Sequence, residues 1–290
     1  MQDHDAASSP AVVVGIDGSR SAVSAALWAA DEAVGRDIPL RLVYAIDPDD
    51  HPDSDADENA RELAAAEIAV RNAYTAVEST DKAVKIEIEI LQKNPTRALI
   101  ESSRWAALLC VGSIGLKHSS QGRIGSTAAT LATAAHCPVA VVHGFDSHRA
   151  RQGWVVAELD EFSTLDGILQ CALDEARLRG LPLRVLTTWQ SRFTDIHAEN
   201  AVADGNRLAR ARLDRRLDQW RKSYPDLDVE AVAVHGSTVN YLAKNASSIK
   251  LLVVGHERAS GIREIVGPPG YAALHHADCS VLICEPRNVL

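Results

Sequence analysis

Leu108-Leu-Cys-Val-Gly112-Ser-Ile-Gly115 is followed, after nine residues, by Gly125-Ser126-Thr127 and an alanine-rich run. A short apolar stretch ending in glycine reads as a strand buried on both faces. Ser126 and Thr127 read as the start of a helix, where hydroxyls and unbonded amides collect. Strand, glycine loop and helix N-terminus together form an anion-binding layout, because the amides and the helix dipole favour negative charge. Gly112, Gly115 and Gly125 can take positive φ and let backbone N–H groups approach an anion closely. Lys117 and Arg123 add mobile positive charge. The loop lacks the Gly-Lys-Ser/Thr of a Walker motif, and no GxGxxG follows the first strand.

The same letters return 143 residues later, where Leu251-Leu-Val-Val-Gly255 falls on Leu108-Leu-Cys-Val-Gly112. Val13-Val-Gly-Ile-Asp17 falls on Val156-Ala-Glu-Leu-Asp160, and Ala30-Asp-Glu-Ala33 on Leu173-Asp-Glu-Ala176. Pro39-Leu-Arg-Leu-Val43 falls on Pro182-Leu-Arg-Val-Leu186. Near the end the offset is 142, so Cys137-Pro-Val139 meets Cys279-Ser-Val281. Matches this regular make the chain a tandem duplication, with one copy in 1–146 and the other in 152–290.

Each copy alternates strand and helix patterns. The first copy predicts strands near 11–16, 40–46, 83–90, 107–112 and 139–143, with helices near 21–36, 58–79, 96–105 and 126–136. Val84-Lys-Ile-Glu-Ile-Glu-Ile90 alternates strictly and reads as an edge strand with one wet face. The second copy predicts strands near 154–159, 183–188, 228–234, 250–254 and 280–284, with a charged helix over 198–223. The arginines of that helix, 207, 210, 212, 215 and 216, read as a solvated face. The expected fold is α/β, with two tandem open parallel five-stranded sheets carrying helices on both faces. In such sheets a ligand sits beyond the C-terminal strand ends, where the strand order reverses.

Composition fits this reading. Hydrophobic residues make up 46% and aromatics only 4%, so the cores are built from Ala, Val, Leu and Ile. The net charge of −9 lies wholly in residues 1–146, and a chain this acidic lacks the basic surface of a general nucleic-acid binder. The acidic run from Asp47 to Glu58 lacks the EF-hand spacing and reads as a solvated loop entering a helix N-terminus. No apolar run approaches the roughly 18 residues of a membrane span, and Met1 to Pro10 does not resemble a signal peptide. Five cysteines without a CxxC pair read as small hydrophobes in a reducing compartment. The expectation is a cytoplasmic protein with no membrane and no nucleic-acid partner.

The spacing Gly-x2-Gly-x9-Gly-Ser from Gly112, together with Val14-Gly-Ile-Asp17-Gly-Ser19 and Cys137-Pro-Val-Ala-Val-Val142, resembles the universal stress protein family. The likeness covers nearly the whole chain, one family domain per half, and implies the nucleotide-binding, adenine nucleotide alpha-hydrolase-like fold. It implies ATP, with Mg²⁺, as the ligand. Carried over by position, Asp17 would contact the adenosine and Ala45 would hydrogen-bond adenine through its backbone. Gly112 and Gly115 would line ribose and phosphates, and Gly125, Ser126 and Thr127 would hold the phosphates. It also implies a regulatory role in stress and an unknown protein partner. In the family the final strands of two domains pair, so the halves are expected to pack through 139–142 and 281–284 with the 144–153 linker exposed. A homodimer of such chains is the expected assembly.

The second copy departs from the pattern: Arg258 replaces the second glycine, and Pro268-Pro269 replaces Ser-Thr between Gly267 and Gly270. Two prolines remove two backbone donors and two hydroxyls, so this site is expected to be degenerate. Asp160 persists there. His275, His276 and Cys279 lack a third ligand for a metal, and no Gly-x-Ser-x-Gly elbow supports a hydrolase. His118 sits in the first loop but is a poor base there. Catalysis is expected to amount at most to weak ATP hydrolysis. Two alternatives stay open: a nucleotide-free interaction module that serves to dimerise, and a slow ATPase.

Overall fold

The computed structural model describes residues 10–49, 55–115, 124–144, 153–159, 165–190, 199–255 and 279–284. The chain divides into two compact units, Met1–Phe145 and Asp146–Leu290.

In the first unit the elements run β1 (Ala11–Ile16), α1 (Arg20–Arg36), β2 (Leu40–Ile46), α2 (Ala56–Glu78), β3 (Ile86–Gln92), α3 (Pro95–Ser102), β4 (Ala106–Gly112), α4 (Ser126–Ala134) and β5 (Val139–Val142). The strands are parallel in the order β3-β2-β1-β4-β5. The second unit runs β6 (Trp154–Glu158), α5 (Leu165–Arg179), β7 (Leu183–Trp189), α6 (Glu199–Ser223), β8 (Val229–His235), α7 (Thr238–Asn245), β9 (Ile249–Gly255) and β10 (Ser280–Cys284). It repeats the order as β10-β9-β6-β7-β8, again parallel. Each unit therefore carries five parallel strands in the same order, as expected.

The local chemistry explains the elements. Val12, Val13 and Val14 in β1 and Leu108, Leu109 and Cys110 in β4 are buried, as central strands require. α1 turns Ala22, Ala25, Ala26, Ala29, Ala30 and Ala33 inward, and small side chains let it lie close on the sheet. Ser19 caps it by accepting from the Ala22 amide at 3.1 Å. Asp55 caps α2 by accepting from the Glu58 amide at 2.9 Å, so the acidic run enters a helix N-terminus, two residues earlier than the expected start at 58. Residues 50–54 of that run lie outside the described residues. The duplication extends to an ion pair with a buried carboxylate: Glu32 pairs with Arg36, and at the same offset Glu175 pairs with Arg179.

β3 differs from its expectation. It covers 86–92 rather than 83–90, because its register is dictated by β2, from Leu40 opposite Ile86 to Ile46 opposite Gln92. It lies at the edge as expected, but its apolar face is only partly covered, and Ile88 remains 53% exposed beside α2.

Candidate functional site at the crevice between β1 and β4

The order reverses beside β1: β2 follows it on one side and β4 lies on the other. The residues just beyond the C-terminal ends of these two strands face the resulting crevice. Asp17 follows β1, and the chain turns at Gly18 with φ 84° into the Ser19 cap. The Ser19 amide donates to Asp17 Oδ1 at 2.9 Å, which fixes the carboxylate at the mouth of the crevice. On the other side, Gly112 ends β4 and Gly115 follows three residues later.

None of Gly112, Gly115 and Gly125 uses the positive φ open to glycine. Two of them are needed for space. A β-carbon on Gly112 would lie 2.6 Å from the carbonyl carbon of Ser21 and 2.8 Å from the Ala22 nitrogen, so β4 abuts the first turn of α1. A β-carbon on Gly115 would lie 2.7 Å from Asp17 Oδ2. Gly115 thus lies directly against the Asp17 carboxylate. The Ser21 hydroxyl, not singled out from sequence, donates to the Ile114 carbonyl and ties the loop to α1.

Gly125 is the N-cap of α4 and provides no side chain to cap it. Its amide donates to the Ser113 carbonyl at 2.8 Å, and a β-carbon there would lie 3.6 Å from the Gly115 nitrogen, so both ends of the loop meet. The first i−4 bond of α4 is made by Ala129 to Gly125 at 3.0 Å. The amides of Ser126, Thr127 and Ala128 precede it and have no carbonyl one turn back. Ser126 is exposed and Thr127 half-buried. Ala45 lies apart from this cluster on β2, half-buried near its C-terminal end and opposite Leu91 of β3. Asp17, Gly115 and Gly125 converge, whereas Ala45 marks the far wall of the same strand-end edge. Such an arrangement can hold an extended anion with a polar group at one end.

Lys117, His118 and Arg123 lie outside the described residues, as do Asp160, Arg258, Gly267, Pro268, Pro269, Gly270, His275, His276 and linker residues 145–152.

The second unit differs beneath the equivalent crevice in a way the sequence reading did not single out. Glu158 ends β6 where the repeat places Gly15 in the first unit. Its carboxylate is buried and accepts from the Thr238 hydroxyl at 2.5 Å. In the first unit a β-carbon on Gly15 would meet Leu99 at 2.8 Å. The aligned pair of letters held the signal, a Glu against a Gly at a buried strand end. The charged helix α6 carries ion pairs along its surface, Arg207 with Asp204 at 3.0 Å and Arg221 with Asp214 at 2.9 Å.

Among the described residues no cluster of three or more His, Cys, Asp or Glu forms a metal site. No helix among them is long and apolar enough to cross a membrane.

The sequence pattern of the universal stress protein family matches residues 10–143 and 155–285. A universal stress protein of Mycobacterium tuberculosis is 47% identical over 278 residues, covering 94% of this chain and 95% of its own length. A second from the same organism is 45% identical over 279 residues, covering 96% and 97%. In fold, the chain is similar to the crystal structure of a universal stress protein from Archaeoglobus fulgidus, with TM-score 0.66, 14% identity and coverage of 97% and 98%.

Proposed function

Because the chain belongs to the universal stress protein family, we propose that its first unit binds ATP with Mg²⁺ and regulates a partner protein in stress through its nucleotide state. The observation that carries the proposal is the closure of Gly115 over Asp17 beside the uncapped start of α4. Asp17 is a hydrogen-bond acceptor suited to the hydroxyls of a sugar. The first-turn amides of α4 and the hydroxyls of Ser126 and Thr127 are donors suited to phosphate oxygens. Ala45 offers its backbone to an adenine base at the end of β2. Mg²⁺ would accompany the phosphates and offset their charge.

The second unit is proposed to be degenerate. Pro268 and Pro269 lack amide hydrogens where Ser126 and Thr127 have them. Glu158 adds a carboxylate under the crevice, which disfavours a polyanion. The family likeness further supports a cytoplasmic homodimer as the working form.

Mass spectrometry of nucleotide released from freshly purified full-length protein tests this reading. Recovery of ATP supports it. No nucleotide, together with no binding on addition, would mean an interaction module instead. Release of ADP with steady turnover that Gly115→Arg abolishes would mean a slow ATPase.

A further inference from the structure

Outside the crevice, one contact between reactive groups stands apart. Cys171 lies half-buried on α5, and Cys284 ends β10 at 2% exposure. Their Sγ atoms are 2.6 Å apart although 113 residues separate them in the chain. That spacing is well inside van der Waals contact for two sulfurs and longer than the roughly 2.05 Å of a disulfide bond. The pair belongs to the second unit alone. At the repeat offsets the first unit has Trp28 and Val142, both buried.

The other three cysteines make a contrast. Cys110, Cys137 and Cys279 are buried, and burial pushes the Cys279 thiol up to about 12, so it stays protonated near neutral pH. Cys171 has the accessibility they lack, and its neighbour is already in place as a resolving thiol.

We propose that Cys171 and Cys284 form a peroxide-responsive dithiol that closes to an intramolecular disulfide. Cys171, as thiolate, attacks one oxygen of hydrogen peroxide, the O–O bond breaks, and hydroxide leaves to become water on protonation. The resulting Cys171 sulfenic acid is attacked at sulfur by Cys284, whose proton leaves with the displaced hydroxide as a second water. In balance, two thiols and one hydrogen peroxide give one disulfide and two waters, and the two electrons lost by sulfur reduce the peroxide. A dithiol reductant reverses the bond by exchange. The bond would tie α5 to the last strand of its sheet. α5 also carries Ile168, whose side chain fills the space beside Gly255 at the end of β9. Oxidation therefore fixes the helix that borders the second unit's crevice.

The test uses the full chain, reduced, desalted, exposed to hydrogen peroxide, then denatured and alkylated with iodoacetamide. The expected result is alkylation of three of the five cysteines, a mass two hydrogens lower before alkylation, and a non-reduced tryptic peptide joining Cys171 to Cys284. Dithiothreitol should restore all five thiols, and the oxidised chain should melt at a higher temperature than the reduced chain. Cys171→Ser and Cys284→Ser should each abolish the linked peptide. Five alkylatable thiols after peroxide, a disulfide between chains, or over-oxidation of Cys171 with Cys284 still alkylatable would overturn the proposal. The wild-type peptide map decides even if a serine variant fails to fold.

Discussion

Gly115 closes over Asp17 so tightly that a β-carbon at 115 would stand 2.7 Å from the carboxylate oxygen Oδ2. The carboxylate cannot easily give way, because its other oxygen accepts from the Ser19 amide at 2.9 Å. Asp17 and Gly115 are therefore sterically coupled.

Gly115→Arg should lower ATP affinity at least about tenfold, equivalent to ~1.4 kcal/mol, while the circular dichroism spectrum stays that of the parent. The substitution puts a side chain against Asp17 at the crevice, away from the core. Unchanged affinity in a folded variant would show that this loop is not the cradle.

Gly112→Ala should behave differently. Its added methyl meets the backbone of Ser21 and Ala22 at the start of α1 as well as the Ser21 hydroxyl, and the backbone cannot swing aside as a side chain can. Overpacking of this kind costs about 1–3 kcal/mol, so the urea midpoint should fall with m unchanged. An unaltered midpoint would contradict the packing role assigned to Gly112.

Much of this was legible in the letters, for physical reasons that can be named. The strand-helix alternation and the repeat follow from periodicity, and β1, β2 and β10 begin and end where their apolar runs do. β3 was misjudged at both ends because pairing with β2, not its own alternation, sets its limits. The neighbours that leave no room for a side chain at Gly112 and Gly115 are Ser21 and Asp17, distant in sequence and invisible to a local reading. The Cys171–Cys284 contact spans 113 residues and has no local spacing to announce it.

Ser126→Pro tests the phosphate end alone. Proline suits the first position of a helix, so α4 should persist. The change removes one amide donor and one hydroxyl, as the second copy has already done at Pro268. Losing one hydrogen bond to a charged group, about 1.5–3 kcal/mol, should weaken ATP roughly tenfold to a hundredfold. Calorimetry on the folded variant checks this, and full affinity would remove Ser126 from the site.

Acid should loosen the β2–β3 edge. Lys85 donates to Glu87 at 2.8 Å and Arg41 at 3.0 Å, and these contacts hold the Glu87 carboxyl below its ordinary value of 4.5. A depressed carboxylate contributes stability that is full above the unfolded value and is lost as pH falls through the folded one. Glu87→Gln should therefore be less stable than the parent near neutrality, with the gap closing below that ordinary value. The effect is small because the group is partly exposed. A gap that widens in acid, followed by urea unfolding across pH, would contradict the assignment.

The proposed nucleotide site is a single crevice, in residues 1–146. Titration of nucleotide-free full-length chain with ATP and Mg²⁺ tests it most directly. Saturation is expected at one equivalent per chain and should be lost on Gly115→Arg; saturation at two equivalents, or no saturable binding at all, would contradict a single site.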